Sequence, residues 1–138
     1  MSRMIEQWAY LRDEARLIEF IYQSEYTAVG GERQRSFATQ QQKYDAGLSK
    51  AKPGQSQHQK CQASDFDFFD ETGKWLDVPV KSNFPDEVSY LLAIKTHKEK
   101  IKPFGDYWES LDPHNFWGGN IKGLYDPGHF ERMDKVRK

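Results

Sequence analysis

His58 and Asp65, seven residues apart, and the distant His129, with Asp126 three residues ahead of it, are the side chains of this sequence best suited to chemistry. Imidazole nitrogen and carboxylate oxygen are ordinary zinc ligands, and two imidazoles with one carboxylate leave a fourth tetrahedral corner for water. Catalytic zinc sites are built this way, whereas structural ones are closed. Bound zinc (Zn2+) lowers the pKa of such a water towards ~7 and polarises a carbonyl, so hydrolysis becomes feasible at neutral pH. The reaction also needs a carboxylate to take a proton from the water and deliver it to a leaving amine, and Asp126 is near enough to His129 to serve. Spacing alone is weak evidence, because His and Asp are common. Taken singly, His58 reads as a solvated loop histidine and His129 as a strand-end histidine bonded to backbone. Asp65 reads as solvent-facing beside Asp67, and Asp126, before Pro127-Gly128, as a turn residue. Cys61, three residues after His58, is another donor type for zinc, although a small half-buried residue is the simpler reading. His97 and His114 have no motif around them and read as surface groups.

These residues need elements to hold them. Met4/Ile5, Trp8, Leu11, Ala15, Ile18 and Ile21/Tyr22 recur every three or four positions, which predicts an amphipathic helix over about 3–23 with that stripe buried. A shorter helix is expected from Ser36, an N-cap, to Gly47, a C-terminal glycine, followed by an exposed loop over 48–62 that carries His58. The run Ala63-Ser64-Asp65-Phe66-Asp67-Phe68 alternates like a strand, with Ala63, Asp65 and Asp67 on one face. The turn Asp70-Glu71-Thr72-Gly73 leads to a second strand around 74–80. A third helix is expected from about 86 to 101, ended by Pro103, and a last strand over 129–133. Trp8, Trp75, Trp108 and Trp117 read as core. Helices before and between short strands give an α+β class, with a small antiparallel sheet flanked by helices.

The 138 residues fit one domain, and 9 Phe, 7 Tyr and 4 Trp supply a packed core that the mean hydropathy of -0.90 keeps modest. Twenty basic residues against 21 acidic ones, a net charge of -1, give no electrostatic reason to expect a nucleic-acid partner. One cysteine excludes an internal disulfide, and no apolar run approaches the ~20 residues a bilayer span needs, so stable membrane insertion is not expected. Glu6 and Arg12 among the first apolar residues do not fit a secretory signal. A monomer made in the cytoplasm is the expectation, and the Lys135–Lys138 run reads as a solvated tail.

The wording around the candidate ligands is more specific. Ser56-Gln57-His58-Gln59-Lys60-Cys61-Gln62-Ala63-Ser64-Asp65 resembles the S-x-H-x-x-G-x-A-x-D motif of the zinc D-alanyl-D-alanine carboxypeptidases. Trp117-Gly118-Gly119 and then Asp126-Pro127-Gly128-His129-Phe130-Glu131 resemble that family's W-G-G segment and its acidic-x-x-H-F-E ending. Arg35-Ser36 with Gln40, then Gly47-Leu48-Ser49-Lys50, is similar to the R-S-x-x-x-Q helix start and the loop before the first motif. The likeness spans about 33–133 in order and is greatest to the L-alanyl-D-glutamate endopeptidase branch, which includes single-domain phage endolysins.

That resemblance implies a fold of the DD-peptidase and hedgehog type, with His58, Asp65 and His129 holding zinc and Asp126 as general base and acid. It implies that Arg35, or Arg33 as an alternative, offers its guanidinium to a substrate carboxylate or a developing oxyanion, a role suited to its planar fork. Ser56 and Gln40 become substrate-contacting groups. The implied partner is the peptidoglycan stem peptide, met in the periplasm after release of a phage-type endolysin from the cytoplasm. D-alanyl-D-alanine carboxypeptidase or dipeptidase activity, or a non-catalytic wall-binding module of the same fold, are the alternatives. Two departures from the family pattern stand out. Asp126 replaces the glutamate of some branches, and Cys61 replaces the motif glycine, which predicts strain there if the position requires a positive φ.

Overall fold

The computed structural model describes residues 2–30, 45–46, 57–58 and 60–137. Most of the expected helix over 36–47 and most of the loop over 48–62 lie outside these, as do Arg33, Arg35, Gln40 and Ser56. Two helices, α1 (Arg3–Tyr22) and α2 (Glu87–Leu111), pack on an antiparallel sheet of β1 (Thr27–Gly30), β2 (Ala63–Phe69), β3 (Asn115–Trp117) and β4 (His129–Arg132). The strand order is β1-β2-β4-β3, so β2 and β4 are the interior strands. This is the α+β architecture expected of the sequence, although β1 and β3 are too short for alternation to reveal. The second strand expected over 74–80 shrinks to a single bridge, Phe69 to Trp75. The turn before it does form: Asp70 Oδ1 accepts the Thr72 amide at 2.9 Å, and Gly73 supplies the φ of +83° that closes it.

α1 buries a different face from the one its apolar spacing predicts, and of that stripe only Ile21 reaches the core. Met4, Trp8 and Tyr22 are 74%, 68% and 77% exposed, whereas Tyr10, Asp13, Glu14, Leu17 and Ile21 are buried. The buried carboxylates explain the difference, because each has partners that offset its desolvation. Asp13 accepts from Arg12 Nε at 3.0 Å and from Asn115 Nδ2 at 3.1 Å. Glu14 accepts from the Tyr10 hydroxyl at 2.8 Å and from the Ser64 hydroxyl. The Tyr10 side of the helix, carrying Leu17 and Ile21, thereby joins the core.

α2 is longer than expected, running through Pro103 to Leu111. A proline inside a helix costs ~3 kcal/mol, but Pro103 lies on the exposed side, and fully burying Ile101, Phe104 and Trp108 around it returns ~1.5–3 kcal/mol each. Trp108 and Trp117 are core as expected, whereas Trp8 and Trp75 are not. The β2 face read from alternation is correct: Phe68 and its neighbour Phe66 pack towards Phe130, and Asp67 is exposed. Among the described residues, no helix is long and apolar enough to cross a membrane.

Candidate metal centre

Strand register brings the first two candidate ligands together. Asp65 of β2 is the direct antiparallel partner of His129 of β4, and Ala63 of Glu131, so these side chains share the sheet face opposite Phe68 and Phe130. His129 Nδ1 donates to Asp65 Oδ1 at 3.0 Å and His129 Nε2 donates to Glu131 Oε1 at 3.0 Å.

His58 arrives from the segment before β2. The Gln62 amide donates to the Gln57 carbonyl at 2.8 Å and the Cys61 amide to the His58 carbonyl at 3.2 Å. This nested pair, with a left-handed residue one place before its end, is the turn that usually terminates a helix on glycine. Cys61 occupies the left-handed position with φ 56°. The strain expected of a cysteine in place of the motif glycine is therefore present. The turn is pinned from two sides. Gln7 Nε2 of α1 donates to the Lys60 carbonyl at 2.9 Å, and the Arg132 amide donates to the Gln62 carbonyl at 2.8 Å. So held, the fully buried His58 puts Nε2 3.3 Å from Asp65 Oδ2, and its ring centroid lies 5.1 Å from that of His129.

His58, Asp65 and His129 each offer a ligand atom within 4.8 Å of the others. Each histidine nitrogen lies close to the Asp65 carboxylate, His129 Nδ1 at 3.0 Å from Oδ1 and His58 Nε2 at 3.3 Å from Oδ2. Two imidazoles and a carboxylate gathered this closely are a donor set that fits zinc in type. Cys61 is not part of this group. Burial opposes ionisation of Asp65, but hydrogen bonds from His129 and His58 outweigh it and hold the carboxyl well below the usual carboxylate range. Burial likewise disfavours charge on His129, yet its bonds to Asp65 and Glu131 push its pKa up to about 10.

Asp126 sits beside this group through the backbone. Its amide donates to the Gly118 carbonyl at 3.2 Å, and its carbonyl accepts from the His129 amide at 3.2 Å, closing the turn that launches β4. The Trp117-Gly118-Gly119 segment braces that turn. Trp117 Nε1 donates to the Pro127 carbonyl at 2.8 Å, and the indole fills space that a Cβ at Gly105 or Gly119 would enter at 2.1 and 2.3 Å. A second brace comes from His97, which is buried at 8% exposure and not the surface group expected. Its Nε2 donates to the Leu76 carbonyl at 3.1 Å, so Nδ1 accepts from the Tyr125 hydroxyl at 2.6 Å, next to Asp126 in the chain. Burial lowers the His97 pKa and keeps this neutral pairing. Its position in the stripe His97, Ile101, Phe104, Trp108 was the available signal. His114 is half-buried, bonded to Asp112.

No protein-family model matches the chain, and no curated protein matches it in sequence. Among solved structures, the crystal structure of the Serratia marcescens L-Ala D-Glu endopeptidase ChiX matches its fold with a TM-score of 0.55 at 20% identity, over 90% of this chain and 77% of that one.

Proposed function

We propose that this chain is a zinc-dependent peptidoglycan peptidase that cleaves the L-alanyl-D-glutamate bond of the stem peptide, in the manner of a phage-type endolysin. The observation that carries the reading is the convergence of His58, Asp65 and His129 on one sheet face with ligand atoms within 4.8 Å. The fold shared with an L-Ala D-Glu endopeptidase supports the substrate class.

In this reading His58 Nε2, His129 Nδ1 and an Asp65 oxygen hold zinc, which when bound supplies Lewis acidity and a water acidic enough to attack at neutral pH. The Asp126 carboxylate takes the proton of the attacking water as the C–O bond forms. It returns that proton to the amine nitrogen as the C–N bond breaks. Holding Asp126 in place falls to Gly118, Trp117 and the His97–Tyr125 pair, whose bonds fix the turn on both sides of it. Arg35, Ser56 and Gln40, outside the described residues, are assigned to the substrate: Arg35 for a carboxylate or the developing oxyanion, the other two for polar contacts. The peptidase domain acts as a monomer.

Metal analysis of the purified chain, combined with mass spectrometry of digested peptidoglycan, tests this. One zinc per chain and new N-terminal D-glutamate ends are expected. Released free D-alanine would reject the endopeptidase assignment in favour of carboxypeptidase activity, and undigested wall with zinc at full occupancy would reject catalysis.

A further inference from the structure

We infer that Glu131 is the positioning residue of the metal centre: it holds the outer nitrogen of His129 so that the inner one faces Asp65 and His58. The inference rests on the metal-site reading above and assigns a role to a residue which that reading leaves idle.

The backbone places Glu131 for this work. β4 lies between β2 and β3, so Glu131 is paired on both sides, with Ala63 and with Phe116. Its own carbonyl accepts from Trp108 Nε1 at 3.1 Å. Residues two apart on a strand share a face ~6.5 Å apart, and the glutamate side chain folds back over that gap to bring Oε1 3.0 Å from His129 Nε2. Aspartate, one methylene shorter, would not span it. Both groups are mostly shielded, with side chains 19% and 12% exposed, so little water competes for the bond.

Two consequences follow from imidazole chemistry. A ring anchored at Nε2 to Glu131 and aimed by Nδ1 at Asp65 loses both contacts if it flips about Cβ–Cγ, because each nitrogen is then replaced by a carbon. A carboxylate only accepts, so Glu131 also keeps the hydrogen of neutral His129 on Nε2 and leaves the Nδ1 lone pair for a metal. Carboxylates that bond the outer nitrogen of a metal-bound histidine commonly govern affinity in this way.

The test uses the full chain with Glu131→Ala and Glu131→Gln. Zinc affinity is measured by competition with a chromophoric chelator, and the His129 tautomer by long-range 1H–15N NMR of the zinc-loaded protein. Glu131→Ala is expected to bind zinc ~10–100-fold more weakly. Glu131→Gln retains an acceptor oxygen and should recover most of that loss, with His129 protonated on Nε2 as in the wild type. A general loosening of β4 would not select a ring tautomer. Wild-type affinity in Glu131→Ala, or zinc on His129 Nε2 with the proton on Nδ1, overturns the inference while leaving the metal site standing. A wild-type chain that binds no zinc overturns the metal site and this inference with it.

Discussion

Replacing Gly118 by alanine probes whether the turn carrying Asp126 is packed as tightly as it is drawn. The added methyl would lie 2.1 Å from the Asp126 carbonyl oxygen and 2.8 Å from His129 Cβ. Ordinary contact begins near ~3.5 Å, so the carbonyl must retreat by more than ~1 Å. It cannot retreat alone, because the Asp126 amide is bonded back to Gly118 and the same carbonyl takes the His129 amide. Relief must therefore come from moving both Asp126 and the start of β4, whose first residue is His129. Overpacking of this kind costs ~1–3 kcal/mol, which for a chain of this size lowers Tm by roughly 3–15 °C. Displacing a reacting group by about 1 Å costs on the order of 100-fold in rate. Thermal unfolding by circular dichroism reads the first quantity, and hydrolysis of a defined muropeptide reads the second. Gly30→Ala is the control: a Cβ at Gly30 meets nothing within 4 Å, and its Tm and rate should stay at wild type. A Gly118→Ala protein that melts and turns over like the wild type would refute the close approach of Gly118 to the Asp126 turn.

Three further predictions follow from the same geometry. Cys61→Gly should stabilise the chain by about 1 kcal/mol in urea unfolding, because left-handed strain of ~1–3 kcal/mol exceeds the ~0.5–1 kcal/mol of extra glycine entropy; equal stability of Cys61→Gly and Cys61→Ala would contradict it. Burial works against the charge of Asp112, but the His114 amide and ring and an Arg132 nitrogen at 2.9 Å hold its pKa at about 2. A depressed folded pKa gives stability that is present above the ordinary value near 4 and lost as pH falls through about 2. The gap between wild type and Asp112→Asn should therefore narrow between pH 5 and pH 2, by about 1 kcal/mol once solvent screening of this partly exposed group is allowed for, and a constant gap would remove the linkage. His58→Ala and His129→Ala should lose metal together with activity, whereas Asp126→Ala should keep zinc and lose turnover; a fully active Asp126→Ala would end the proton-transfer assignment.

How far the sequence disclosed the molecule depends on whether a feature is local. The alternation over 63–68 fixed which face Asp65 takes, and that face is correct, but no local pattern says that its cross-strand partner is His129, 64 residues away. The glycine-turn motif around His58 was legible down to the strain at Cys61, since a left-handed residue is a property of a few bonds. Pro103 misled because a proline's local cost was weighed without the burial of Phe104 and Trp108 beyond it. Glu131 stood inside the quoted H-F-E run, and strand spacing from His129 was the signal for its role.

α1 makes the physical point most sharply. Apolar residues recur on one side of it more regularly than on the other, so hydrophobic period favours the side that is in fact exposed. The buried side is interrupted by Asp13 and Glu14, which a periodic count treats as solvent markers. Their burial is offset partly by neighbours on the helix, Arg12 for Asp13 and Tyr10 for Glu14, and partly by Asn115, 102 residues from Asp13, and Ser64, 50 residues from Glu14. A carboxylate's preference for water is thus conditional on its partners, of which the local sequence shows only some. Ser64 is also the neighbour of Asp65 on β2, so the contact that turns α1 inward fixes the strand whose other face carries the candidate ligand. The helix face and the strand carrying the candidate ligand are thus linked through Ser64, and Ser64→Ala, which removes one of the donors to Glu14, should lower Tm in thermal unfolding by circular dichroism; an unchanged Tm would show that the contact is dispensable.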